Sequence, residues 1–222
     1  MIPLRDSQPS YSKPYVTIAI IATNALVFLF ELTLDRYSLN AMLSTYGLIP
    51  SHLQWTSVIT SMFLHGGWLH LIGNMWFLWI FGDNVEDILG HGKFLLFYLL
   101  CGIAAALLQA ALSPDSRAPM IGASGAIAGV MGAYLVKFPR SNILTLVFLL
   151  FFLTTIDIPA YVILLYWFGL QFFSGVGSMG YSHFSEGGVA WFAHVGGFLA
   201  GILLIFTLRP QERFRSRGEL HW

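Results

Sequence analysis

One stretch decides how this chain is interpreted: Ile121-Gly122-Ala123-Ser124-Gly125-Ala126-Ile127-Ala128-Gly129. It places a serine between glycines at the point where an apolar helix is predicted to begin. Polar groups are costly inside a membrane, so a small polar residue at this position requires a reason. The residues elsewhere in the chain favour nucleophilic catalysis by Ser124 as that reason.

The composition is typical of a membrane protein with little soluble mass. Of the 222 residues, 56% are hydrophobic and 10% are charged, whereas soluble domains average about 45–50% apolar and about 25% charged residues. The formal net charge is zero, so the chain lacks the basic surface of a nucleic-acid-binding protein, and we predict no nucleic-acid partner. Cys101 is the single cysteine, which excludes an intramolecular disulfide and a cysteine cluster for a metal.

The apolar segments predict an all-α membrane protein with six transmembrane helices. A hydrocarbon core about 30 Å thick requires roughly 20 apolar residues in a helix, and the fourth segment is shorter than that. A short polar segment (1–14) precedes the membrane domain (15–208), and a basic tail (209–222) follows it. The predicted spans are residues 15–34, 60–82, 93–112, 123–137, 159–175 and 190–208. Residues 35–57 between the first two spans are interpreted as an amphipathic loop at the membrane interface.

The orientation follows from the basic residues. Residues 143–173 form one apolar run, interrupted near Pro159, that is too long for one helix and short for two. If 143–157 is an interfacial segment, both termini lie on the same side of the membrane as nine of the 11 Lys and Arg residues. If the run crosses the membrane twice, this excess of basic residues on one side disappears. Because cytoplasmic loops are rich in Lys and Arg, we predict a multi-pass protein of a prokaryotic cell (inner) membrane, with both termini cytoplasmic and the lipid bilayer around its six spans.

Three polar residues from three predicted helices lie at a similar depth. At about 1.5 Å per residue, Ser124 and His70 lie roughly 20 Å, and His194 roughly 22 Å, from the cytoplasmic ends of their helices. Asn74 lies one turn deeper than His70 on the same face. The short fourth helix begins below the outer membrane edge, and its free N–H groups need water or a ligand. This predicts a wet cavity that opens to the outside.

Small residues allow two of these helices to approach closely. Gly197-x-x-x-Gly201 is a small-xxx-small motif, which permits close packing of membrane helices. His194 is then the candidate base that takes the proton from Ser124. The side chains of His70 and Asn74, with the backbone N–H of Ser124, are candidates to hold an oxyanion. No Asp or Glu lies near this level in the second, fourth or sixth span, so the pattern predicts a Ser–His dyad without a third carboxylate.

Each of these residues also has a simpler interpretation. A transmembrane serine usually bonds a helix carbonyl, a single histidine is more often a helix–helix contact, and the glycines around Ser124 can serve packing alone. His65, His70 and His194 could instead ligate haem or a metal ion, although no His-Glu-x-x-His motif is present. The serine also lacks the G-x-S-x-G elbow of soluble hydrolases. Only the hydrolase interpretation accounts for the shared depth and the open helix end together.

Three motifs make the sequence similar to the rhomboid family of intramembrane serine proteases, over about residues 55–205. Gly122-Ala123-Ser124-Gly125 resembles the family's G-x-S-G nucleophile motif, and Ala193-His194-Val195-Gly196-Gly197 resembles its A-H-x-x-G motif with the general base. The segment from His65 to Asn74 resembles its H-x4-H-x3-N motif. The resemblance implies catalytic Ser124 and His194, an oxyanion site of His70 and Asn74, and supporting roles for His65, Gly122, Gly125 and Gly197.

The resemblance also implies a six-helix rhomboid-like bundle with a short central fourth helix. Its substrates would be single-span membrane proteins, cleaved in or near their transmembrane segments without a metal or cofactor. The glycine-rich loop 175–189 would act as a mobile cap. One departure is that Thr56 follows Trp55 where many members have a Trp-Arg pair. The alternative is a catalytically silent rhomboid-like binder of membrane proteins, although such relatives typically lose the serine or the histidine.

Overall fold

The fold is a bundle of helices with one small sheet. The computed structural model describes residues 2–149, 152–179 and 189–208. In these residues the helices are α1 (Tyr15–Glu31), α2 (Arg36–Tyr46), α3 (Ser57–Thr60), α4 (Trp68–Leu89), α5 (His91–Leu112), α6 (Ser124–Lys137), α7 (Ala160–Met179) and α8 (Trp191–Thr207), with 3-10 turns at Pro50–His52 and Ser61–Phe63. The strands are β1 (Ile2–Asp6), β2 (Asn142–Leu149) and β3 (Phe152–Pro159). The mostly helical class is confirmed, whereas the strands correct the prediction of an all-α protein.

Two helices of the described residues are long and apolar enough, by length and composition, to cross a membrane. They are His91–Leu112 and Ala160–Ser178. The apolar helices α1, α6 and α8 are shorter. The six predicted spans go beyond this finding, and the count of six stays a prediction.

One end of the bundle collects the polar ends of several helices. Gly90 joins α4 to α5 there. Lys93 in the first turn of α5 donates to the carbonyl oxygen of Leu208, just after α8, at 3.0 Å. At the start of α1, the backbone N–H of Thr17 donates to the carboxylate of Glu86 at 2.7 Å. We call this the Gly90 end; it holds the starts of α1 and α5 and the ends of α4 and α8.

Helix α6 is the central helix of the bundle. Its residues from Gly125 to Tyr134 are all buried, as expected for a helix that is apolar on every side. Ser124 is its first residue, and Lys137 is its last. The helix therefore carries Ser124 at the end that lies away from its basic C-terminus.

The backbones of α6 and α8 are in contact through glycines. A Cβ atom at Gly197 would lie 1.8 Å from the carbonyl oxygen of Gly125, and one at Gly201 would lie 1.9 Å from that of Gly129. These distances leave no room for any side chain, so the glycines set the separation of the two helices. The small-xxx-small motif on α8 thus packs against glycines spaced in the same way on α6.

The strands form one antiparallel sheet in the order β1-β2-β3. Strand β2 pairs on one side with the N-terminal segment and on the other with β3. Segment 143–157, which the sequence placed at the membrane interface with its path left open, therefore contains two paired antiparallel strands in its described residues. Its β-branched and aromatic residues favour strands, but nearly all of its positions are apolar, and this hid the two-residue alternation of a half-buried sheet.

Two predicted boundaries shift. The second span was expected over residues 60–82, but α4 begins at Trp68 and continues to Leu89. Gly66 and Gly67 precede the helix, and glycine disfavours helix interiors. The loop expected over 175–189 starts later, because α7 continues to Met179. Most of that loop, 180–188, and the tail 209–222 lie outside the described residues.

Asp6 connects the sheet to α6. The hydroxyl of Tyr134, a buried residue of α6, donates to Asp6 Oδ2. Burial raises the pKa of the Asp6 carboxyl, while the hydrogen bond from Tyr134 acts in the opposite direction. At a pH between the ordinary pKa of Asp6 in the unfolded chain and its raised pKa in the folded chain, the unfolded chain releases this proton and the folded chain holds it. The free energy of unfolding therefore falls as the pH rises through this range.

Replacement of Gly201 tests the contact between α6 and α8. We expect Gly201→Ala to lower the free energy of unfolding by about 1–3 kcal/mol, because the new methyl group meets backbone that cannot move aside. Thermal unfolding in detergent measures the change. Gly169→Ala in α7 is the matched control, since nothing lies within 4 Å of a Cβ atom there. Equal stabilities of the two variants would contradict the inference.

Replacement of Asp6 tests its burial. We expect Asp6→Asn to gain stability relative to the wild type as the pH rises from about 4 to about 8, because the amide stays neutral and still accepts from Tyr134. Thermal unfolding at several pH values measures the difference.

Asp35 provides a control of opposite sign. The backbone N–H and the hydroxyl of Ser38 hold the pKa of the exposed Asp35 carboxyl below its usual value. Its stabilising effect is present at neutral pH and is lost as the pH falls through the lowered pKa. The wild type should therefore be more stable than Asp35→Asn at neutral pH, and this difference in stability should disappear in acid. A difference between Asp6→Asn and the wild type that does not change with pH would count against the burial of Asp6.

Candidate active site

A serine on α6 and a histidine on α8 are joined by a hydrogen bond. Ser124 Oγ lies 2.8 Å from His194 Nε2; the serine is half-buried and the histidine is buried. The glycine contact explains this distance, because Gly125 directly follows Ser124, and Gly197 lies one turn after His194. The two glycines predicted to support the site thus act through the packing of α6 on α8.

A residue of α7 extends this pair to a chain of three. Gln171 Oε1 lies 2.6 Å from His194 Nδ1. An amide oxygen can only accept a hydrogen bond, so Nδ1 carries the hydrogen and Nε2 is free to accept from the Ser124 hydroxyl. This is the tautomer that a general base requires.

Gln171 is not among the site residues predicted from the sequence, although the sequence contains a signal for it. Gln171 is the single amide side chain in α7 and is buried. It lies 11 residues after Ala160, which is about 17 Å along a helix. The depth estimate that linked Ser124 with His194 would therefore have included Gln171 as well.

His70 and Asn74 of α4 lie against Gly122. Gly122 has a φ of +118°, and a Cβ atom there would lie 2.6 Å from His70 Nε2 and 3.5 Å from Asn74 Nδ2. Both the backbone conformation and the lack of space require glycine. The N–H of Gly66 donates to His70 Nδ1 at 3.4 Å, which leaves the hydrogen on Nε2, the nitrogen that faces Gly122. The Nε2–H of His70 is therefore a hydrogen-bond donor that faces Gly122, two residues before Ser124.

His65 holds Asn74 in place. The amide nitrogen of Asn74 lies 3.0 Å from His65 Nε2, and because this nitrogen carries two hydrogens, the second can point into the cavity. The backbone N–H of His65 donates to the carboxylate of Glu31 at 3.3 Å. Glu31, the acidic residue of α1, thus contacts the support of Asn74 rather than His194.

A cavity of about 730 Å³ brings these groups together. Ser124, His194, His70, Asn74 and Gln171 all line it. Its lining includes residues 119–122, which precede α6, residues 189–190, which precede α8, and Trp191, the first residue of α8. These segments lie at the opposite end of the bundle from Gly90. The sequence predicted that the cavity opens toward that opposite end. The volume lies within the range of about 300–1,000 Å³ that is usual for ligand pockets.

Several known proteins are similar to this chain. RHOMBOID-like protein 6, mitochondrial, of Arabidopsis thaliana is 35% identical over 185 residues, which are 78% of this chain and 51% of that protein. Rhomboid protease GluP of Bacillus subtilis is 38% identical over 128 residues, 55% of this chain and 24% of that protein. Putative rhomboid protease YdcA of the same organism is 34% identical over 125 residues, 55% of this chain and 61% of that protein. The chain thus spans less than two thirds of the length of each of these relatives.

The Rhomboid domain family matches residues 52–211. This range contains the helices from α3 to α8 and every predicted site residue from His65 to Gly197. Because the match covers more than half of the 222 residues, the chain belongs to the rhomboid family.

Proposed function

We propose that this protein is an intramembrane serine endopeptidase that hydrolyses peptide bonds in or near the transmembrane segments of single-span membrane proteins. One observation carries the proposal: the hydrogen-bonded chain from Ser124 through His194 to Gln171 beside a cavity. Membership of a family whose named members include proteases supports it. The substrate class is the one that the resemblance to the rhomboid family implies, and the predicted depth of Ser124 in the membrane agrees with it.

In the proposed reaction, Ser124 is the nucleophile and His194 is the general base. His194 Nε2 takes the proton from Oγ as Oγ attacks the carbonyl carbon of the substrate. His194 then gives this proton to the leaving amine, and the peptide bond breaks to leave an acyl group on Ser124. A water molecule that enters the cavity then gives a proton to His194 and attacks the acyl carbon. The bond from this carbon to Oγ breaks, the proton passes from His194 to Oγ, and the second product leaves with a new carboxyl group.

The developing oxyanion is stabilised from two sides. The Nε2–H of His70 and the side-chain amide of Asn74 approach from α4, and the backbone N–H of Ser124 lies at the start of α6, where the helix dipole favours negative charge. Donors placed in this way contribute about 3–4 kcal/mol each to the stability of the transition state. Gly122 is required because any side chain there would occupy the space in front of His70.

Gln171 orients the base. When His194 accepts the proton, its ring becomes positively charged, and the oxygen of Gln171 accepts a hydrogen bond from the charged ring. Trp167, one turn earlier on α7, lies 5.6 Å from the His194 ring between centroids and restricts its rotation. Gln171 is therefore a positioning residue, which replaces the carboxylate of a Ser-His-Asp triad with a neutral acceptor.

The proposed arrangement in the membrane has six crossing helices, α1 and α4 to α8, with the Gly90 end in the cytoplasm. Helices α5 and α7 begin at this end and α4, α6 and α8 finish there, which supports alternate crossings. Basic residues at this end, Lys93 and Lys137 among them, agree with a cytoplasmic location. A prokaryotic cell membrane agrees with the bacterial relatives, and an organelle membrane is the alternative raised by the mitochondrial and chloroplastic ones.

Replacement of the serine tests the function. We expect Ser124→Ala to abolish both cleavage of a single-span model substrate and labelling by a fluorophosphonate probe, because no other group takes the place of Oγ. Gel analysis of the substrate and in-gel fluorescence of the probe measure the two effects, and thermal unfolding checks the fold.

Ser178→Ala is the matched control for this experiment. Ser178 in α7 donates to the carbonyl oxygen of Gly175 in its own helix at 2.6 Å, which is the ordinary role of a membrane serine. This variant should retain cleavage and labelling. Equal cleavage by Ser124→Ala would exclude the proposed nucleophile, and substrate binding without cleavage by the wild type would favour the silent binder.

Replacement of Gln171 tests its positioning role. We expect Gln171→Leu to lower kcat about tenfold with little change in KM, since one neutral hydrogen bond to the base is lost. Gln171→Glu retains an oxygen acceptor and should keep more activity than the leucine variant. Steady-state cleavage of the model substrate measures both constants.

Gln109 offers a matched amide for comparison. Its Oε1 accepts from the backbone N–H of Ala193 at 3.1 Å, next to His194 but without contact to either of its ring nitrogens. Gln109→Leu should therefore lower thermal stability more than kcat. If Gln171→Leu and Gln109→Leu reduced kcat equally, Gln171 would have a structural role only.

A further inference from the structure

Strand β1 runs beside α4 from the Gly90 end toward the middle of the helix. Asn84 donates from its side chain to the carbonyl oxygen of Gln8 at 3.0 Å, and Trp76 Nε1 donates to that of Pro3 at 2.6 Å. Asn84 and Trp76 are eight residues apart, about 12 Å along a helix. Gln8 and Pro3 are five positions apart, a distance of at most about 17 Å. The N-terminal segment therefore follows α4 into the depth of the bundle.

Strand β2 extends farther in the same direction. It is antiparallel to β1, with Ile2 opposite Leu146, and it continues to Leu149 before the chain returns as β3. Strand β3 brings the chain back to Pro159, and α7 begins at the next residue. Strand β2 thus runs from the Gly90 end into the bundle, and β3 runs back to the same end.

The charged residues of the sheet mark where it enters. Leu144 of β2 has Arg5 opposite it on β1 and Asp157 opposite it on β3, and Asp6 lies on the next rung toward the Gly90 end. From that point to the turn, the described residues of all three strands carry no Asp, Glu, Lys or Arg. This distribution is expected when one end of an element lies at the membrane surface and the rest lies in hydrocarbon.

The inner face of the hairpin packs on the bundle. Ile143, Thr145 and Val147 of β2 are buried, and Ile143 belongs to the same core as α6. From Ile143 to Leu146 strand β2 has partners on both sides, and from Val147 to Leu149 it pairs with β3 alone; pairing removes backbone polar groups from the surroundings. The hairpin is therefore a layer of the bundle, held in place by packing on one face.

The side chains near the turn are large, apolar and exposed. Phe148, Phe152 and Leu153 have 65%, 76% and 62% of their surface exposed. The exposed apolar surface continues into the first turns of α7, where Tyr161 and Val162 are also exposed. Helix α7 is one of the two helices long and apolar enough to cross a membrane. Lipid that surrounds α7 would therefore also contact the exposed side chains of the hairpin.

We propose that β2 and β3 form a re-entrant hairpin in the cytoplasmic leaflet, with Phe148, Phe152 and Leu153 in contact with lipid acyl chains. Leu144 and Leu149 are five positions apart, about 17 Å along a strand, so the inner end of β2 lies near the middle of a hydrocarbon core about 30 Å thick. Strand β3 has the free edge in the sheet, and the backbone groups on that edge need water that follows the strand from the cytoplasmic surface. The proposal does not depend on the catalytic role of Ser124.

Spin labels at single introduced cysteines test the depth of the hairpin. Phe152→Cys and Phe148→Cys carry the label near the turn on the two strands, and Asp157→Cys carries it on the entry rung as the matched control. Each protein is placed in lipid nanodiscs, and power saturation compares collisions with oxygen, which concentrates in acyl chains, and with a water-soluble nickel chelate. The unaltered protein measures background labelling at the buried Cys101.

We expect oxygen collisions to exceed nickel collisions at residues 148 and 152 and the reverse at residue 157. Thermal unfolding of each variant checks the fold, and if one of the two turn variants does not fold, the other supplies the measurement. Equal nickel access at 152 and 157 would put the hairpin in water and overturn the proposal. Protection from both reagents, with dipolar broadening between labels on two molecules, would show that a second copy covers the hairpin and would also overturn it.

Discussion

The contact between the backbones of α6 and α8 determines the rest of the structure. Membrane helices gain little from the hydrophobic effect when they associate in lipid, so close packing must hold them together. Carbonyl oxygens of Gly125 and Gly129 occupy the space in front of Gly197 and Gly201 where a side chain would otherwise lie. The same contact sets the hydrogen bond between Ser124 and the histidine of α8. Stability of the bundle and geometry of the site therefore depend on one set of glycines.

Two polar networks lie on either side of Ser124. One runs from the serine through His194 to Gln171 on α7, and the other runs from Glu31 on α1 through His65 to Asn74 on α4. Unpaired polar groups are costly in an apolar bundle, so each group is held by the next. The networks fix the ring nitrogens of the histidines as donors or acceptors, and this is the arrangement that the proposed base and oxyanion site require.

The sheet changes how the end of the bundle near Gly90 is built. A bundle of helices alone would leave the short α6 uncovered beyond Lys137, where the chain turns at Pro139. Strands β1, β2 and β3 pack there, and the hydrogen bond between Tyr134 and Asp6 joins them to α6. The N-terminal segment and a hairpin more than 130 residues later in the sequence thus form one layer. The helix that carries Ser124 is supported by glycine contacts on one side and by the sheet at its C-terminal end.

The sequence by itself determined the family resemblance, the order of the main helices and the four residues around the cavity, because each rests on local patterns: apolar runs, helical depth and short motifs. The tertiary structure decided what depends on distant segments. Gln171 is an ordinary polar residue until packing brings α7 to His194. The strand at Ile2–Asp6 forms because β2 offers it a partner, and an almost wholly apolar hairpin has no periodicity that distinguishes a strand from a membrane helix.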